Sequence, residues 1–598
     1  MPSKTIPGKY RPLPTKPPIS KSHSPTLFPN STIHIPSVNL INEFSIRQIL
    51  KRSPKYIHNL LIGLEILNNT SASKILRYFK RVKYTNLLLC DALFYDPIRT
   101  SKALRLFYTT TRGISSTSLA IPSNPLRFNS LKILFKFKYL TQLHLKTGNL
   151  EALEPYTMLP KDYKKRARSN RFFVKEIKSL NSSLTVLRNL KTLVLLDNYH
   201  FSHDLVFKTL AKQIELKKPL MKKLAYCILK KYRAKHDNLA IFLKSLDKLE
   251  FLEEIQLHLE GLDMTQANIN LLSQSLSQKK FLKSASLALK HPVILPSMIN
   301  LSLIKPLTLD LCFKTIDFDL NTLRLVLPSI TNPIIIRLEQ IHESQKTIDP
   351  DYVENFFGIL AQLPKLTQFY YKESQGTALS PVSCLNIITS LSEMLKKVTG
   401  SLEKLHIVIE KSRYLGILLQ SLTALSKNFT YLKAMTLTVC EYSVNDCSKK
   451  MVLKYLESLR QIETLKEVGF LLDGVPDIDF SQKAIDSCVK CRGLLSLEIY
   501  SLSVDSEGLL YIMKNIAELR HLEKLLLWFN PVERGDITRG FEDIKEELFD
   551  KVGKTVKMLE NLKNLCLMFA LPGFGERDIQ DLRRTLKQEN MKLNVKIY

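Results

Sequence analysis

Residues Leu522-Glu-Lys-Leu525-Leu-Leu527-Trp-Phe-Asn530-Pro-Val532 read Leu-x-x-Leu-x-Leu-x-x-Asn-x-hydrophobic, and degraded copies of the Leu-x-x-Leu-x-Leu core recur along most of the chain. Copies with middle residues Leu143, Leu193, Ile255, Ala285, Leu307 and Phe369 are followed by copies at Leu405, Met435, Val468, Leu497, Leu525 and Leu565, with a terminal Leu593-Val595-Ile597. The middle residue advances from 255 to 285, 405 to 435, 468 to 497 and 497 to 525, steps of 30, 30, 29 and 28 residues. Less regular steps of 22, 36 and 40 fit insertions within single repeats. Such a chain multiplies one small unit.

Each core is too short for a helix, and its alternating apolar residues suit a strand. Between cores lie helical patterns. Lys450-Met-Val-Leu453-Lys-Tyr-Leu456-Glu-Ser-Leu459 spaces its apolar residues by three, and so does Leu509 to Ile516, with Asp505 or Ser506 as N-cap. One strand and one helix cannot bury an apolar face alone; stacking supplies a neighbour and the core grows in one dimension.

This pattern resembles the leucine-rich repeat superfamily in its irregular, helix-containing, ribonuclease-inhibitor-like form, over about residues 131–598. The resemblance implies an α/β solenoid or horseshoe, with a parallel sheet on the concave side and helices on the convex side. The chain departs from the family at the Asn position. Asn198 and Asn530 fit and Cys440 is the accepted alternative, but Glu260, Ser374, Glu410, Asp473, Leu502 and Ala570 stand elsewhere. The family's Asn ladder between turns is therefore mostly missing, which predicts weaker bridging.

Residues 1–40 hold nine prolines, five basic residues and no acid, the composition of a disordered or polyproline tail. Residues 41–130 read as a helical N-terminal cap or degenerate early repeats; Ile46-Ile49-Leu50 and Ile75-Leu76-Phe79 are spaced as helices, and Tyr84–Leu93 as an early repeat. The net charge of +31 is uneven: residues 1–190 carry 32 Lys/Arg against 8 Asp/Glu, and residues 191–598 carry 55 against 48. The strongest basic cluster is Lys161, Lys164, Lys165, Arg166, Arg168 and Arg171, followed by Lys217, Lys218, Lys222, Lys223, Lys230, Lys231 and Arg233. Lys164-Lys165-Arg166-Ala-Arg168 has the form of a nuclear-import signal, equally of a phosphate-attracting patch or a solvated loop. In the tail, Arg11, Pro14 and Pro17 have the spacing of an SH3 ligand, a short motif that flexible tails often carry by chance.

Catalytic signals are poor. Gly553-Lys554-Thr555 has Leu548 where a phosphate-binding loop needs glycine, and reads as helix. Cys488-Val-Lys-Cys491 is a lone pair without two further zinc ligands and suits core packing. No metal site and no cofactor is expected, and no enzyme. The first residues lack an apolar run of signal-peptide type, no apolar stretch approaches ~20 residues, and nine cysteines are scattered. An intracellular protein, cytoplasmic or nuclear, is expected.

In the resembled repeat the non-leucine strand positions face the concave surface. Leu522, Leu525 and Leu527 then belong to the core, and Lys524, Leu526 and Trp528 face outward. The residue after the third core position runs Lys146, Leu196, His258, Ala288, Asp310 and Lys372, then Val408, Thr438, Leu471, Tyr500, Trp528 and Met568. The last four are large, apolar and on consecutive repeats ~4.8 Å apart, so they form one column. Leu471, Tyr500, Leu526, Trp528 and Met568 are the expected anchors for a protein partner, since aromatic and Met residues concentrate at hot spots. The expected function is a non-enzymatic protein-interaction scaffold. Two alternatives remain open: a nucleic-acid-associated protein docking through the basic N-terminal third, and an F-box-like ubiquitin-ligase receptor, whose usual Leu-Pro opening has no match here.

Overall fold

A computed structural model describes residues 32–35, 56–63, 83–90, 118–123, 141–147, most of 181–197, 203–217, 220–228, 236–259, 264–290, 294–313, 319–340, 349–373, 381–409, 415–439, 446–472, 478–531 except 492, 545–569 and 592–597. The chain divides into two compact units, Met1–Ile121 and Pro122–Tyr598. In the first, β1 (Thr32–Ile35), β2 (Tyr56–Gly63) and β3 (Lys83–Cys90) are parallel neighbours, and β3 continues to the first residues of β4 (Ser118–Ser123). β1 falls within the segment whose composition suggests a tail.

The second unit is an open, parallel α/β solenoid sheet of the leucine-rich-repeat kind. Its first half runs β5 (Gln142–Thr147), β6 (Thr192–Asp197), β7 (Lys223–Ile228), β8 (Glu254–Leu259), β9 (Ser284–Lys290), β10 (Leu307–Phe313) and β11 (Ile334–Gln340). The second half runs β12 (Leu366–Glu373), β13 (Lys404–Ile409), β14 (Ala434–Val439), β15 (Glu467–Leu472), β16 (Ser496–Val504), β17 (Lys524–Pro531), β18 (Asn564–Phe569) and β19 (Lys592–Ile597). Each strand pairs in parallel with the next in sequence. Helices between strands pack on one another and cover one face, so each strand buries every second residue. β8 alternates half-buried and buried from Glu254 to Leu259.

Two strands escape the sequence pattern. β7 carries Met221, Leu224 and Tyr226 at the core positions, among lysines that hide the motif, and β11 carries Ile330, Ile334 and Ile336 with a spacing lengthened by Pro333. Their absence from the pattern is why the apparent step doubled from 193 to 255 and from 307 to 369. At β10 the register also changes: Leu309 pairs with Ile334 instead of carrying the frame of the earlier repeats onward, and Thr367 is an extra residue in β12. Asp310 therefore lines up with Ile335 and Gln368, whereas Lys372 lines up with Glu339. The run of residues expected to form one series from Lys146 to Met568 splits into two, one ending at Asp310 and the other starting beside Lys372.

Local signals set the helices. Asp505 accepts a hydrogen bond from the Gly508 amide at 2.8 Å and caps the helix Ser506–Ile516. Asp349 and Asp319 cap the helices Pro350–Leu360 and Leu320–Val326 in the same way, which occupies amide donors a helix start leaves unpaired. The helix Lys545–Met558 contains Gly553-Lys554-Thr555; buried Thr555 donates to the Met513 carbonyl at 2.9 Å, and Lys554 pairs with Asp550.

Asn198 and Cys440 lie outside the described residues, and Asn530 is described in its backbone only; among the described residues, other groups bridge the repeats. Hydroxyls in or just before the strands reach back one repeat: Thr367 to the Ile334 carbonyl, Ser401 to Leu366 and Thr464 to Leu432, at 3.2, 3.1 and 2.8 Å. Buried Asn332 donates to the Ile304 carbonyl, and Ser426 and Ser458 meet at 2.7 Å. The carbonyls of Lys191, Lys222, Glu253, Lys433, Lys466, Leu495 and Glu523 each accept two successive amides of the next repeat. Among the described residues no helix is long and apolar enough to cross a membrane.

Candidate functional site on the open sheet face

Opposite the helices, the sheet leaves alternate side chains free of the core. Leu522, Leu525 and Leu527 are buried, Lys524 is exposed, and Leu526 and Trp528 are half-buried on the open face. That division follows from the two-residue period of a strand. Trp528 pairs in register with Met568, which is buried, and Leu471 pairs with Tyr500. The rings of Tyr500 and Trp528 meet edge to face at 6.4 Å, a favoured arrangement of two aromatic quadrupoles.

The joint between Tyr500 and Trp528 is irregular. Ile499 pairs with Leu527, but Leu502 pairs with Phe529, so Tyr500 and Ser501 together face Trp528. Ser501 takes φ 61°, the one positive φ outside glycine among the described residues. A left-handed residue occurs in one class of bulge, and serine adopts that conformation at a cost of order 1 kcal/mol. The bulge also explains an apparent departure from the repeat: Leu502 is core, beside fully buried Phe529, and Ser503 lies in register with Asn530.

Glu498 was not singled out by the apolar column, yet it belongs to the same surface two residues before Tyr500. Its carboxylate accepts the Tyr500 hydroxyl at 3.3 Å and pairs with Lys524. Burial first, then the Glu498 charge, push the Tyr500 phenol up to about 12, so it stays protonated and donating at neutral pH. Farther back, the rings of Tyr370 and His406 meet at 4.6 Å, tilted by 54°, and burial holds His406 below the usual histidine range. These residues were legible in principle by aligning the position two before each column residue.

The remaining candidates divide simply. Arg11, Pro14 and Pro17, and Lys161, Lys164, Lys165, Arg166, Arg168 and Arg171, lie outside the described residues. Of the lysines that follow, Lys217 is 3% exposed, donates to the Leu187 carbonyl at 2.6 Å and is pushed down to about 8 by burial. Lys222 pairs with Glu253, which also takes Lys283 at 2.6 Å, and Lys223 pairs with Glu254. Hydrogen bonds from Lys222 and Lys283 hold Glu253 down to about 2. Cys488 and Cys491 are core side chains whose thiols burial pushes up, Cys491 to about 11. Among the described residues no group of His, Cys, Asp and Glu could hold a metal ion.

No protein-family model matches the chain, and no curated protein matches it. Solved structures similar to it include an internalin from Listeria monocytogenes, 10% identical, covering 79% of this chain and 89% of the internalin at a TM-score of 0.22. The leucine-rich repeat-containing protein LegL7 from Legionella pneumophila is 14% identical and covers 61% of this chain and 98% of LegL7 at a TM-score of 0.31. At such scores the fold class rests on the repeat geometry itself: a stack of strand-and-helix units forming an open parallel sheet, the leucine-rich-repeat architecture.

Proposed function

We propose that this chain is a non-enzymatic scaffold that holds a protein partner on the open, concave-side face of its C-terminal repeats. The observation that carries this reading is the Tyr500–Trp528 pair, half-buried on a sheet face whose neighbours Leu471, Leu526 and Met568 are also apolar. Large aromatic side chains held by a rigid sheet lose little freedom on docking, which is what concentrates binding energy in such residues. Cys488 and Cys491, buried thiols packed in the core, fit a reducing compartment within the cell.

Trp528→Ala tests the reading. Proteins captured by the full chain are compared with those captured by the variant, with folding checked by circular dichroism. Loss of a specific partner from the folded variant is expected, on the order of 2 kcal/mol or more in affinity. An unchanged partner set on a folded variant would remove the patch from consideration.

A further inference from the structure

Beside the Trp528 column, a second series of open-face positions runs through Tyr370, His406, Thr436, Gly469, Glu498 and Leu526 in register. Between His406 and Glu498 it carries only a threonine and a glycine. Three strand spacings separate those two residues, so the dip is ~14 Å across. Gly469 keeps it low: a Cβ there would meet Thr436 Cγ2 and Oγ1 at 3.3 Å. One side of the dip is the Tyr370–His406 ring contact, and the other is Glu498 with Tyr500 and Trp528.

The charge on that second side runs against the composition of the chain. With a net charge of +31, a random surface site should be basic. On the open face of β15 and β16 the positions are Glu467, Gly469 and Leu471, then Ser496, Glu498 and Tyr500. Both charged residues are carboxylates, and Glu467 is exposed; the cation beside them on β17, Lys524, is taken up by its pair with Glu498. Glu498 accepts Tyr500 and Lys524, and a carboxylate has about four acceptor sites, so it can take a further donor. The faces of Tyr500 and Trp528 attract cations as well.

We propose that this dip receives a protein segment presenting an arginine or lysine beside an apolar side chain. The cation sits against Glu498, Tyr500 and Trp528, and the apolar neighbour rests on Leu471, beside Gly469 on β15. The proposal rests on the docking patch argued above and adds the chemistry of its occupant. An acidic segment or a nucleic-acid phosphate would meet the two carboxylates instead.

A random peptide library displayed on phage, selected on the immobilised full chain, tests it. Enriched peptides should pair Arg or Lys with a neighbouring Leu, Ile, Phe or Trp, and should move the fluorescence of Trp528, the one tryptophan of the chain. Glu498→Gln, isosteric on an open face, should weaken the selected peptides on the order of tenfold or more. Trp528→Ala, or Trp528→Phe if the alanine variant unfolds, should weaken them too. Peptides that need Trp528 but lack basic residues, or ignore Glu498→Gln, overturn the cationic occupant and leave the patch standing. Peptides that bind the folded Trp528 variants equally well, or a library that yields none above background, overturn both.

Discussion

In β8 and β9 the alternate positions turned from the core carry Glu254, Gln256, His258, Ser284, Ser286 and Ala288; in β15 to β18 they carry Leu471, Tyr500, Leu526, Trp528 and Met568 beside polar residues such as Glu467, Glu498 and Lys524. The early repeats expose apolar surface elsewhere. Leu220, Phe251, Phe281 and Leu303 each stand directly before the first core position of consecutive repeats (Met221, Leu252, Leu282 and Ile304), all exposed, with Phe251 and Phe281 stacked at 5.6 Å. Both halves bury an equivalent core, as the registered residues Leu224, Ile255 and Ala285 and the later Val468, Leu497 and Leu525 illustrate. One backbone unit therefore holds stability at the inward positions and leaves the outward ones to specialise region by region.

The largest effect expected is on the shared part. Leu257→Ala and Leu527→Ala remove fully buried side chains from equivalent core rows, and each should cost ~2–5 kcal/mol in denaturant unfolding. Similar losses would support equivalence of the halves; a loss in one alone would break it. The outward positions should separate sharply. Trp528→Ala should abolish partner capture, whereas a folded His258→Ala variant, on the early face, should leave capture unchanged. If His258→Ala also weakens capture, the partner spans both regions.

Individual bridges between repeats should differ in pH response. Lys217 bridges through a buried ammonium, whereas Thr464 and Thr555 bridge through hydroxyls. Burial lowers the Lys217 pKa to about 8 from 10.5, so between those values the unfolded chain holds more protons than the folded one. Stability should therefore rise with pH across that window, by on the order of 1–3 kcal/mol. Lys217→Met should flatten this rise in urea titrations at pH 7.5 to 10.5, while Thr464→Val should leave its slope unchanged. The smallest effect is local to the late face. Ser501→Gly should relieve the positive φ and stabilise by up to about 1 kcal/mol. A destabilised Ser501→Gly variant would show that the serine side chain holds the bulge.

Most of the architecture was legible because burial repeats. Leu522, Leu525 and Leu527 announced a strand with one inward face, and Asp505 announced the start of a helix. The legibility failed where identity or spacing drifted: Tyr226 filled a leucine position among lysines, and Pro333 stretched Ile330 to Ile334. It failed again at Leu502, which by counting occupies the Asn position, because a one-residue bulge cannot be counted from the core residues on either side of it.

Sequence alone determined that this chain builds a one-dimensional stack and that Trp528 sits at an outward strand position, since a strand's two-residue period needs no knowledge of its neighbours. Tertiary structure decided which outward residues share a surface. The register change at β10 separates Asp310 from Lys372, the Ser501 bulge sets Tyr500 against Trp528, and pairing of β16 with β17 brings Lys524 to Glu498. Those meetings depend on hydrogen bonds between strands about thirty residues apart in sequence, and register is a property of the pair of strands rather than of either one.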